Sequence, residues 1–234
     1  MYPDASSRIS PAAIRWLQAI SKYRATTSGG PNFAYDLCVN KIKIEDLSNL
    51  DLSSWDLAFN GAEPVRTETL ERFSEAFRGC GFNPTALYPC YGMAETTLLT
   101  TGDLKETHSL VLQVDSAALL ENKIIIPSNL SVEDRFLTPI VSCGRAWLDV
   151  EIAIVDPKLL QRCPSDRIGE IWVASRSVAQ GYWNRPVDTQ QIFQARIRED
   201  LCDRQFLRTG DLGFMNDGEL FVTGRLKDII VIRG

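Results

Sequence analysis

The chain has 234 residues, 44% of them hydrophobic and 24% charged, with a formal net charge of −5. Such a chain can bury a sizeable core. Its acidic balance argues against a general nucleic-acid binder, which carries a basic face. The longest apolar runs, IIVI at 229–232 and IIIP at 124–127, fall far short of the about 20 residues that a membrane span needs. The opening MYPDASSRIS has no basic stretch leading into an apolar core, so no secretory leader is expected.

From the N-terminus, Ser10-Pro11 reads as the start of an amphipathic helix, with Ile14, Leu17 and Ile20 on one face and Ala13 and Trp16 beside them. Gly29-Gly30-Pro31 reads as a break, after which Asn32 to Val39 opens another helix. Asp56 to Phe59 reads as a short strand that ends at Asn60-Gly61. RTETLERFSEAFRGCGF then carries a clear helix, with Leu70, Phe73 and Phe77 on one face and Gly79 and Gly81 at its exit. TALYPCYG reads as the next strand and its exit loop. Alternating helix and strand predicts a parallel α/β layer over 1–101. A polar, turn-rich insert follows over 102–140. From about Ser142, WLDVEIAIVD, GEIWVAS, FLRTGDLGFM and GELFVTGRL predict an antiparallel sheet or distorted barrel. The chain ends on the β-type run GRLKDIIVIRG. A bare apolar edge there, together with an abrupt N-terminus, suggests a piece of a longer protein.

The six cysteines, at 38, 80, 90, 143, 163 and 202, are scattered and form no CxxC pair. They read as reduced, mostly buried thiols of a cytoplasmic protein, with neither a disulfide framework nor a metal knuckle. His108 is the single histidine, so a multi-histidine metal site is excluded. Nothing near it resembles a nucleophile elbow, and it reads as a solvated loop residue.

Four stretches can carry chemistry, and each also has a plain reading. In FNGAEPV (59–65) small residues after a strand let a flat ligand lie near the backbone; the plain reading is a strand-to-helix turn. In YGMAETT (91–97) Tyr91 can stack on a purine, Gly92 allows close approach, Glu95 is a hard oxygen donor for a divalent cation, and Thr96 and Thr97 can donate to a phosphate. Its plain reading is a helix N-terminus with Glu95 favourable to the dipole. In LRTGDLG (207–213) Asp211 can accept from a ribose diol, or the stretch is a hairpin turn. In TGRLKDIIVIRG (223–234) Arg225 can reach a ribose or phosphate, or the segment is a solvated turn.

The ordered set is harder to dismiss than any member. NGAEP, YGMAETT, GEIWVAS…GYWNRP, LRTGDLG and GRLKDIIVIRG together resemble the adenylate-forming enzymes, the superfamily of acyl-CoA synthetases, luciferases and peptide-synthetase adenylation domains. The resemblance covers essentially the whole chain. Within the superfamily it is most similar to the fatty acyl-AMP ligases, through YRATTSGGPNFAYDLC (23–38) and through the insert that returns at VSCGR (141–145).

The resemblance implies a reaction of ATP with a fatty acid to give an acyl adenylate and pyrophosphate. Mg²⁺ assists, and the acyl group then passes to the phosphopantetheine thiol of an acyl carrier protein or polyketide synthase. It implies that Asn60, Gly61, Ala62 and Glu63 line the adenine pocket and that Tyr91 packs on the purine. Gly92 and Met93 border the acyl carboxylate. Glu95 binds the metal, and Thr96 contacts the α-phosphate, as the catalytic pair. Asp211 holds the ribose hydroxyls and Arg225 the ribose or phosphate. Lys227 lies in a hinge region (225–234), after a β-rich subdomain (141–224). Ser28, Gly29, Gly30 and Phe33 lie along the acyl tunnel. TTSGGP resembles the family's phosphate loop in composition only, with no Pro-Lys-Gly after it. That loop and the C-terminal lysine domain are therefore expected outside this stretch, and a central fragment of this kind should adenylate poorly by itself. The alternatives are an acyl-CoA synthetase, an amino-acid adenylation domain, or a non-catalytic chain that binds a nucleotide or a carrier.

Overall fold

The computed structural model describes residues 6–105, 109–127, 136–198 and 204–227. His108, Cys202 and the expected strand at 229–232 lie outside them. The chain divides into two compact units: residues 1–90 with 103–110, and residues 91–102 with 111–234. The division therefore runs between Cys90 and Tyr91, inside YPCYGMAETT, whereas the sequence suggested a boundary near 101.

The first unit is the α/β layer. In chain order it holds α1 (Ser6–Tyr23), β1 (Thr27–Gly30), α2 (Asn32–Lys41), the short α3 (Ile44–Leu47), β2 (Leu57–Asn60), α4 (Thr67–Phe77) and β3 (Leu87–Pro89). The three strands form a parallel sheet in the order β1-β2-β3. Ala13, Leu17 and Ile20 of α1 are buried, as are Leu70, Phe73 and Phe77 of α4, which is the helical spacing read from the sequence. Trp55 sits at the centre, stacked on Tyr35 at 6.3 Å and edge-on to Trp16, Phe73 and Phe82 at 5.3–6.0 Å. Such aromatic pairs contribute roughly 0.5–1.5 kcal/mol each beyond their buried area.

Two expectations change here. Helix α1 begins at Ser6, so Ser10-Pro11 does not open it. Pro11 is the sixth residue of α1 as described and contributes no N–H to its hydrogen-bond ladder. Thr27–Gly30 is a strand rather than a break, with Gly29 opposite Phe59 in the parallel register. A Cβ on Gly29 would stand 2.1 Å from the Phe59 carbonyl oxygen, so glycine here permits the pairing that it seemed to interrupt.

The second unit is a curled antiparallel sheet. Its elements are β4 (Thr101–Gly102), β5 (Val111–Asp115), α5 (Ser116–Leu120), β6 (Leu137–Ala146), β7 (Glu151–Val155), β8 (Gly169–Ala174), α6 (Pro186–Phe193), β9 (Leu207–Asn216) and β10 (Glu219–Arg225). The strand order is β4-β6-β10-β9-β8-β7, with β5 added on β6. The 102–140 segment is thus partly built into the sheet through β5. Strands β9 and β10 are joined at Asp217-Gly218, both with positive φ, the two-residue hairpin loop that suits sheet twist. Phe214 and Phe221 face each other across that hairpin with ring centroids 4.9 Å apart.

Candidate active site

In the second unit Asp211 is the centre. It lies within β9, opposite Arg225, the last residue of β10. The expected Thr-Gly turn before it is a kink inside a continuous strand. Gly210 takes φ +73°, and the pairing with β8 shifts between Glu170 and Trp172. Three bonds fix the kink. The Thr209 hydroxyl donates to the Ile171 carbonyl (2.7 Å) and accepts from the Asp211 N–H (3.0 Å), and the Gly210 N–H donates to Glu170 Oε1 (3.2 Å).

The Asp211 side chain is buried, and both its oxygens are engaged. Arg225 Nε donates to Oδ1 at 2.6 Å, and the Tyr91 hydroxyl donates to Oδ2 at 2.7 Å. A carboxylate offers about four acceptor positions. The two partners occupy two of them. Burial, and then the Asp211 charge, push the Tyr91 phenol far above its ordinary range, so it stays a donor.

Tyr91 pairs with Thr101 as an isolated β-bridge, and this carries YGMAETT into the second unit. A Cβ on Gly92 would stand 1.7 Å from the Leu98 carbonyl oxygen. The smallness of Gly92 is thus demanded by the returning backbone, independently of any ligand. Ala94–Thr96 forms one 3₁₀ turn rather than the start of a longer helix. Glu95 Oε1 accepts from the Tyr182 hydroxyl at 2.7 Å, and Oε2 accepts no bond among the described residues.

Thr96, expected at the α-phosphate, lies inside this turn. It is 1% exposed, and its hydroxyl is bonded to the Met93 carbonyl (3.0 Å) and to Thr100 Oγ1 (2.9 Å). The side chain closes the turn from the inside.

A cavity of about 600 Å³ is lined by Met93, Glu95, Tyr182, Arg208, Arg225 and Lys227 among others. At its wall Arg208 makes a bidentate pair with the buried Glu170 (3.0 and 2.7 Å to Oε2) and lies over the Trp172 ring at 5.3 Å. Tyr182, Glu170 and Arg208 lie in GYWNRP, GEIWVAS and LRTGDLG, but sequence reasoning does not assign them to the site. Their partners lie 38 to 87 residues away, a separation that no local pattern reports.

In the first unit Asn60 ends β2, and Gly61, Ala62 and Glu63 follow in the loop, with Ala62 at φ +68°. Asn60 is buried. Its Nδ2 donates to Asn32 Oδ1 (3.2 Å), which also accepts from the Arg66 N–H, and Cys90 N–H donates to the Asn60 carbonyl. Asn60 Oδ1 is buried with no partner among the described residues. Glu63 Oε1 accepts from the Phe33 N–H (3.2 Å). Register places Ser28, Gly29 and Gly30 beside Ala58, Phe59 and Asn60. The Ser28 hydroxyl accepts from Trp16 Nε1 (2.9 Å), and Phe33 is 63% exposed.

No cluster of three or more metal-ligating side chains occurs among the described residues. A carboxylate such as Glu95 beside a cavity still suits Mg²⁺, which is commonly held by one or two carboxylates together with substrate phosphates and water. None of the described helices is long and apolar enough to cross a membrane.

Comparison with known proteins points one way. The family model described as "AMP-binding enzyme" matches residues 2–183. The medium-chain-fatty-acid acyl-carrier-protein ligase JamA of Moorena producens is 50% identical over 223 residues, covering 94% of this chain and 37% of that protein. The corresponding ligase TtuA of Teredinibacter turnerae is 42% identical over 227 residues, 94% of this chain and 35% of its own length. The solved fatty acyl-adenylate ligase of L. pneumophila, in complex with acyl adenylate and pyrophosphate, superposes with a TM-score of 0.87 at 45% identity, covering 96% of this chain and 38% of that one. The chain thus spans little more than a third of the length of these relatives.

Proposed function

Because the chain belongs to the family of AMP-binding enzymes, we propose that it forms part of a ligase that activates a fatty acid with ATP. The product would be an acyl adenylate, whose acyl group passes to the thiol of an acyl carrier protein or of a polyketide synthase carrier. The observation that carries this reading is Asp211, a buried carboxylate fixed by Tyr91 and Arg225 with acceptor capacity left for a ribose diol. The names of the relatives, which join a medium-chain fatty acid to a carrier protein, support the choice of substrate and partner.

In this reading Asp211 and Arg225 hold the ribose end of the nucleotide. A purine packing on Tyr91 meets a ring that its bond to Asp211 keeps from turning away. Glu95 supplies a hard oxygen where phosphates and a divalent cation come together, and the cation, when bound, offsets the charge of the departing pyrophosphate. Asn60, Gly61, Ala62 and Glu63 serve the adenine ring, and the orphaned Asn60 Oδ1 is an acceptor of the kind an exocyclic amino group satisfies. Gly92 and Met93 border the carboxylate, Ser28 to Phe33 flank the acyl chain, and Lys227 marks a hinge. The 102–140 segment disfavours coenzyme A as acceptor. A reducing, cytoplasmic setting suits the free thiols.

The test is calorimetry with a non-hydrolysable acyl-AMP mimic on the purified protein and its Asp211→Ala variant. Saturable binding that Asp211→Ala weakens at least tenfold is expected. No binding to the unaltered protein, or equal binding to both, would overturn the reading.

A further inference from the structure

The hydrogen bond between Tyr182 and Glu95 joins two motif stretches 87 residues apart, and no step of the proposed reaction uses it. The loop that carries Tyr182 is tied to the turn that carries Glu95 by two further bonds. Ala179 N–H donates to the Glu95 carbonyl (2.8 Å), and the Thr97 hydroxyl donates to the Ser177 carbonyl (2.8 Å). Tyr182 is itself held. Its N–H donates to Thr189 Oγ1 (3.0 Å), and its ring meets Phe193 edge-on at 4.9 Å, both on α6. The phenol is thus anchored from α6, and it reaches one oxygen of a carboxylate whose other oxygen accepts no bond among the described residues, in a residue that lines the cavity.

We propose that Tyr182 is a positioning residue for Glu95: by holding Oε1 it presents Oε2 to a divalent cation that arrives with the nucleotide phosphates. This rests on the metal-binding reading of Glu95 given above. The physical ground is general. A glutamate has several rotatable bonds, and fixing one oxygen removes most of the entropy that a cation would otherwise have to overcome. Ligating carboxylates are themselves usually hydrogen-bonded, and loss of that outer partner typically weakens metal affinity about 10- to 100-fold.

The test uses Mn²⁺ as the probe cation, followed by its paramagnetic resonance signal with ATP present, and separately AMP binding without metal. Tyr182→Phe should raise the half-saturating Mn²⁺ concentration about 10- to 100-fold and leave AMP affinity within twofold of the unaltered protein. In a Glu95→Gln background the same change should have no further effect on Mn²⁺. Equal or tighter Mn²⁺ binding by Tyr182→Phe, with AMP binding intact in both proteins, overturns this inference and leaves the proposed function standing. Failure of the unaltered protein to bind AMP overturns the proposed function instead. A parallel loss of AMP and Mn²⁺ binding in Tyr182→Phe would show a merely structural role and also overturn the inference.

Discussion

Replacing Glu170 with alanine should destabilise the β-rich unit by about 2–3 kcal/mol. Glu170 is 2% exposed and accepts four bonds: three from Arg208, whose Nε is shared between the two carboxylate oxygens, and one from the Gly210 N–H. Removing one partner of a buried pair typically costs about 3–5 kcal/mol, because the other charge is left uncompensated. Here the Arg208 side chain is 30% exposed and keeps its place over the Trp172 ring. Part of the orphaned charge is therefore rehydrated, and the cation–π contact survives, which brings the figure down to about 2–3 kcal/mol. Urea denaturation followed by circular dichroism would report the change as a lower midpoint at unchanged slope. A double-mutant cycle with Arg208→Leu isolates the pair. The Gly210 bond adds a second expectation, because it holds the kink that aims Asp211. Glu170→Gln retains an acceptor for Gly210, so it should recover binding of the acyl-AMP mimic more fully than it recovers stability. A coupling energy below about 0.5 kcal/mol, or nucleotide binding unchanged in Glu170→Ala, would refute this account of how the kink is held.

Gly29→Ala should destabilise the α/β unit by about 1–3 kcal/mol or more, since the added carbon meets a backbone oxygen that has no rotamer to escape into; an unchanged urea midpoint would refute the close approach. Thr96→Val should cost about 1–2 kcal/mol of stability and leave affinity for the acyl-AMP mimic unchanged, as its hydroxyl serves the turn; the opposite pattern, intact stability with weakened binding, would return Thr96 to the phosphate. Burial pushes the Cys90 thiol up to about 11 and that of Cys38 up to about 12, against an ordinary 9.0. The folded chain therefore binds these protons more tightly than the unfolded one. The contribution to stability is fully present below pH 9 and is lost as pH rises from 9 through 11 to 12. Thermal midpoints read at intervals from pH 8 to 11 should be level to about 9 and then fall, and a level profile throughout would count against the burial.

Local pattern carried much of the fold. The burial of Leu70, Phe73 and Phe77 follows from helical spacing, and the β-type runs from Glu151 onward follow from alternation and turn residues. What misled was punctuation read without its partner. Gly29-Gly30-Pro31 looks like a break until Phe59 stands across from it, and Thr209-Gly210 looks like a hairpin turn until Ile171 and Glu170 are seen to pin it inside a strand. Both are cases of tertiary context overriding a local preference. The Asp217-Gly218 hairpin, by contrast, needs no distant partner, and its turn chemistry was open to reading from the dipeptide alone.

The motif set has a physical explanation that the sequence could not display. In the second unit each stretch supplies one half of a bond whose other half lies in another stretch. YGMAETT gives Tyr91 to the Asp211 of LRTGDLG, and that aspartate also takes Arg225 from GRLKD. YGMAETT gives Glu95 to the Tyr182 of GYWNRP, and GEIW gives Glu170 to Arg208 and Gly210. Asp211 thus belongs to a hydrogen-bonded network that reaches from Tyr91 to Arg225, and the kink that carries it is held by the Glu170 pair. Groups wired in this way do not contribute independently, since loss of one partner relaxes the orientation of the next. Tyr91→Phe and Arg225→Leu should therefore weaken binding of the acyl-AMP mimic by amounts that do not add, because each frees the same carboxylate. Strict additivity of the two would mean that Asp211 is held by the strand alone and that its two hydrogen bonds are incidental.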